Sequence, residues 1–216
     1  EIVMLRYCGL ALTEVKNKFL TSTTFFPGMY ESSLVSIVKD TCLLAHYNFQ
    51  RNDATVQART LSQLTAEMKC IVFVTNQILA SAKKDNRIMI EIRQHFFEVL
   101  SIAECYLSVG DHSSAANQYL VALQGDAFSR GKTIHIDRMD FIRRVIDTNM
   151  FLEAEGRLNV LPTIVDILVD NMAAKKETDL TLELLQLLLE QIEILGSPAE
   201  FSELVQLLPV LVDVML

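Results

Sequence analysis

Apolar residues recur every three or four positions through most of the chain, the spacing that places them on one face of an α-helix. Residues 1–20 set Ile2, Leu5, Leu10, Leu12, Val15 and Phe19 in this pattern, with Glu14, Lys16 and Lys18 between them. The run TSTTFFPG at 21–28 interrupts it. Its threonines favour turns through side-chain hydrogen bonds, and Pro27-Gly28 stops a helix from either side. Phe25 and Phe26 in this connection are expected to plug the core between helices. A second helix is expected over 29–49, burying Leu34, Ile37, Val38, Leu43, Leu44 and Tyr47. A third, over 54–83, begins after Asn52-Asp53, either of which can cap it, and carries IVFV near its centre. That helix should be buried on most sides. After the polar hinge at 83–86, Ile88, Ile90, Ile92, Phe96, Phe97 and Leu100 open the next helix.

Towards the C-terminus, Pro162 is expected to open a helix over 163–175, with Lys175 and Lys176 closing it favourably against the dipole. Residues 179–195 are apolar on one broad face and stop at Gly196. Ser197-Pro198-Ala199-Glu200 then forms a capping box for a last helix carrying Phe201, Leu204, Leu207, Leu208, Leu211 and Val212.

Residues 99–123 carry a more specific pattern. Val99, Ile102, Ala103 and Tyr106, followed by Ala115, Tyr119 and Ala122, resemble one tetratricopeptide repeat, with Val99 where the family has a bulky aromatic and Ala127 where it has proline. Ala103 and Ala115 would let two antiparallel helices approach closely, and Tyr106 and Tyr119 would fill the space beside them. Gly110, in the left-handed conformation, is expected to end the first helix, and Asp111 to cap the second. A degenerate second copy aligns at a spacing of 39 residues, setting Phe141, Ile142, Val145, Asn149 and Ala154 against Ile102, Ala103, Tyr106, Gly110 and Ala115. Asn149 would then take the left-handed position, and the residues beyond the family's usual period of about 34 would form a loop near Arg130. The last helices look more like generic armadillo or HEAT pairs. The resemblance implies an irregular α-solenoid that binds peptides or helices along a concave surface; similar paired helices also build the arms of proteasome-lid-like scaffold subunits.

Composition agrees with an all-α chain. Half of the 216 residues are apolar and Gly and Pro together number 11, too few for a loop-rich fold. The first residue, Glu1, already sits in a helical pattern, so the chain is expected to be a piece of a longer protein. The longest uncharged apolar segment, 70–82, is too short to span a bilayer and contains Thr75, Asn76 and Gln77. Cys8, Cys42, Cys70 and Cys105 each lie inside an apolar helical pattern without Cys-x2-Cys spacing, so they are expected to be buried thiols in a reducing compartment. His46 and His95 have no partner at metal-ligand spacing.

Charge divides the chain. Residues 1–144 hold 16 basic and 14 acidic side chains, whereas 145–216 hold 3 and 13, so the ends differ by +2 against −10. The acidic part should repel phosphate backbones. Arg130, Lys132, Arg138, Arg143 and Arg144 concentrate five of the nineteen basic groups in fifteen residues. These are the candidate partner-binding residues, able to hold an acidic peptide or a phosphate, or simply to form a solvated helix face. Gly131-Lys132-Thr133 resembles the end of a phosphate-binding loop, but Gly125 and Gly131 enclose five residues where that loop needs four. Asp137 and Asp140 read as first-turn acids, and Glu153 and Glu155 point to different faces.

The sequence therefore predicts an all-α, irregular α-solenoid of about ten antiparallel helices. Residues 1–85 would form N-terminal helices, 86–161 the tetratricopeptide-like pair and 162–216 the acidic C-terminal helices. No catalytic, cofactor or metal residues are recognised. The expected function is a non-catalytic protein-protein interaction scaffold in a larger intracellular assembly, cytoplasmic or nuclear. A nucleic-acid-associated module using residues 130–144 is the alternative, and a helical enzyme or exchange factor comes third.

Overall fold

The computed structural model describes residues 54–80, 87–125, 132–175, 178–195 and 205. The expected helices over 1–20, 29–49 and beyond 197 lie outside the described residues, as do Phe25, Phe26, Cys8, Cys42 and His46. Seven helices and no strand are found among the described residues: α1 (Ala54–Ala80), α2 (Arg87–Ala103), α3 (Val109–Leu123), α4 (Lys132–Ile146), the single turn α5 (Asn149–Leu152), α6 (Ala154–Ala173) and α7 (Thr178–Leu195).

Each long helix buries the face its apolar spacing marks. On α1, Leu64, Met68, Ile71, Val72 and Leu79 are buried, and Phe73 and Val74 pack against them, so the IVFV segment faces the core on most sides. On α7, Leu184, Leu185, Leu188 and Ile192 do the same. Ala103, Ala115 and Tyr119 are fully buried and Tyr106 is partly buried against the core, but α3 packs mainly against α1 and α6 and only lightly against α2.

The turn between them differs from expectation. Gly110 lies inside α3, and Ser108 is the N-cap: its hydroxyl accepts the Asp111 amide at 3.1 Å and donates to the Asp111 carboxylate at 2.7 Å. Asp111 sits in the first turn, where the helix dipole favours its charge and Lys69 of α1 reaches it at 2.6 Å. The Lys69 hydrogen bond, and then that from Ser108, hold its carboxyl below the usual aspartate range. A hydroxyl three residues before a first-turn acid outcompeted the glycine as the boundary signal.

Small residues on α3 let two helices close on it. Asn76 of α1 donates to the Ala115 carbonyl at 2.7 Å, and Asn159 of α6 donates to Ser113 Oγ at 2.8 Å. Alternate helices thus pack together: α3 contacts α1 and α6, while α4 contacts α2 and α7. α2, α3 and α4 meet at a cluster of aromatic rings. Phe96 and Tyr119 lie parallel at 4.5 Å, Phe141 tilts onto Tyr119 at 4.3 Å, and Phe97 meets Phe141 edge-on at 5.7 Å.

Helix starts recur at a longer spacing than the sequence alignment assumed. α2 and α4 begin at residues 87 and 132, and α3 and α6 at 109 and 154, which is 45 residues apart in both cases. Asn149 is the first residue of α5 after the N-cap Thr148, and the only non-glycine residue with positive φ among those described is Lys175 at 50°. Ala154 is exposed at the start of α6, so it does not stand where Ala115 does. The interval from helix start to helix start within each unit, α2 to α3 and α4 to α6, is 22 residues, so the six-residue offset from the 39-residue alignment is already present where α4 begins. At the 45-residue spacing, Ala115 and Tyr119 correspond to Val160 and Ile164, both fully buried.

Two further expectations are corrected. Pro162 lies inside α6. It is exposed, and so is Leu158, whose carbonyl loses its helical donor; on the solvent side water can take that bond. Lys175 does close the helix, but through its backbone: in the left-handed conformation after the C-cap Ala174, it donates its amide to Met172 O at 2.9 Å.

The junction of α5 and α6 depends on a glycine. A Cβ on Gly156 would lie 2.0 Å from Met150 O and 2.9 Å from its carbonyl carbon, a clash with backbone that no side-chain rotation relieves. Gly156→Ala is expected to lower stability by about 1–3 kcal/mol, seen as a lower thermal midpoint. A midpoint equal to that of the wild type would show that α5 does not pack there.

Candidate functional site

The basic stretch does not form one surface. Arg130 lies outside the described residues, and Lys132 begins α4. Arg138 and Arg143 are five residues apart, about 140° around the helix, so they face nearly opposite ways.

Arg138 turns inward and is 7% exposed. Its Nη2 donates to His135 Nδ1 at 2.9 Å and to Asn171 Oδ1 of α6 at 3.3 Å, while Nε is buried without a hydrogen-bond partner. Arginine has only donors, so His135 Nδ1 is the acceptor and this nitrogen carries no proton. Burial lowers the guanidinium pKa from the usual arginine value, and the Asp170 charge partly opposes it. Asn171 completes the group by donating to Met139 Sδ at 3.4 Å. These polar side chains fix α4 to α6.

Arg143 and Arg144 face solvent. Arg143 reaches Glu183 of α7 at 3.1 Å, and Arg144 reaches Asp140 at 2.9 Å while its guanidinium lies 5.4 Å from the Phe97 ring centre. Each exposed cation thus already has a carboxylate. Such pairs are worth about 0–1 kcal/mol and exchange readily with another anion.

The polar interior holds groups the sequence reading passed over. Arg93 Nε donates to Asp137 at 2.9 Å, joining α2 to α4, and its side chain is only 1% exposed. Asp137 is therefore an ion-pair partner rather than a first-turn acid. Arg157 of α6 donates to the carbonyls of Phe151 and Leu152 at 3.1 and 2.6 Å, satisfying the open end of α5. His112, 45 residues earlier, does the same for α2, with Nε2 3.0 Å from Leu100 O.

A carbonyl only accepts, so His112 Nε2 carries the proton. Burial, the largest effect, holds the His112 pKa below 6.5, while the Leu100 carbonyl and the Glu104 charge pull the other way. The unfolded chain therefore binds the extra proton first on acidification. Stability from this group is complete above pH 6.5 and is lost as pH falls from there to the folded-state value. His112→Gln is expected to flatten this part of the acid limb in urea unfolding measured across about pH 5–7. An unchanged slope would assign the limb to other groups.

Cys105 is exposed and Cys70 half-buried, so the expectation of buried thiols fails at Cys105, which lies in the turn after α2. His95 is half-buried beside Glu98, with Nδ1 3.8 Å from the carboxylate. Among the described residues, no group of three or more His, Cys, Asp or Glu comes together as a metal site, and no helix is long and apolar enough to cross a membrane. Comparison of the chain with protein-family models, curated proteins and solved structures finds no match.

Proposed function

We propose that this chain is a segment of an irregular α-solenoid and serves as a non-catalytic scaffold that binds another protein within a larger intracellular assembly. The observation that carries the reading is the packing of alternate helices, α1 with α3 with α6 and α2 with α4 with α7. Rows of this kind grow by adding helix pairs and leave long faces free for a partner. The 45-residue interval between helix starts falls in the range of about 40–47 that HEAT and armadillo repeats use, above the tetratricopeptide period of about 34. The tetratricopeptide resemblance then covers only the two consecutive helices α2 and α3.

The basic stretch gives less support to nucleic-acid binding. Arg138 is turned into the protein, and Arg143 and Arg144 are balanced by Glu183 and Asp140. The scaffold reading is tested by purifying the full protein from its own cells at physiological salt and quantifying what accompanies it. A protein partner in fixed stoichiometry is expected. Recovery with nuclease-sensitive nucleic acid, lost on raising salt and weakened by Arg143→Ala with Arg144→Ala, would favour the alternative.

A further inference from the structure

We draw no further inference here: the strongest candidate, the exposed apolar pair Leu182 and Leu189 on one face of α7, is an unpartnered helix face and nothing in the structure shows what covers it.

Discussion

Tyr119→Ala is expected to remove about 3–5 kcal/mol of stability, a large part of the roughly 5–15 kcal/mol that holds a domain folded. The ring is fully buried where α2, α3 and α4 meet, stacked on Phe96 at 4.5 Å and tilted against Phe141 at 4.3 Å. Its loss empties a volume that the neighbouring helices cannot close without breaking their other contacts. The hydroxyl contributes separately, by donating to Arg93 O at 3.3 Å. Tyr119→Phe keeps the stack and should cost only about 0.5–1.5 kcal/mol, the usual worth of one such bond. Urea unfolding of the two variants checks this. Equal midpoints would mean that the hydroxyl, and not the stack, holds the helices.

The second large effect is electrostatic. Asp137→Ala removes the carboxylate to which the buried Arg93 donates, and about 3–5 kcal/mol should be lost. Pairing Asp137→Ala with Arg93→Met should recover much of it, because no guanidinium then remains buried. Glu183→Ala gives the contrast. Arg143 and Glu183 are both more than half exposed, so their separation should cost no more than about 1 kcal/mol. A double-mutant cycle in thermal or urea unfolding separates the cases. Additive losses at Arg93 and Asp137 would contradict the buried pair.

Sequence pattern revealed the parts of this fold that depend on local spacing. The end of α7 before Gly196, the long α1 and the burial of Ala103, Ala115 and Tyr119 follow from helical periodicity and residue size. Boundaries were harder. Gly110 carries the residue type of a helix stop, yet the Ser108 hydroxyl accepts the Asp111 amide and sets the start of α3 ahead of it. The register of the second unit differs because Asn149 and Ala154 match Gly110 and Ala115 in residue type alone, while α4 itself starts six residues later than a 39-residue spacing places it.

Arg138 parts from Arg143 and Arg144 for a geometric reason. Charge clustering along the chain ignores the angle around the helix, and Arg138 falls on the apolar stripe with Ile134, Met139, Phe141 and Ile142. Arg93 likewise lies in line with Met89, Ile92, Phe96 and Leu100, so both buried arginines carried a periodic signal. Their partners did not. Asp137 and Asn171 are placed by the offset between packed helices, which local spacing does not encode.

The scaffold reading rests on α3 separating α1 from α6, and this can be measured without knowing the partner. Two helix-packing distances of 8–10 Å set those axes about 16–20 Å apart. Spin labels incorporated at Ala80 and Asp166, exposed positions on α1 and α6, report the separation by dipolar spectroscopy. A distribution centred near or somewhat above about 16–20 Å is the expected result. A separation of about 10 Å, a single packing distance, would place α1 directly against α6 and contradict the alternating rows on which the proposed function stands.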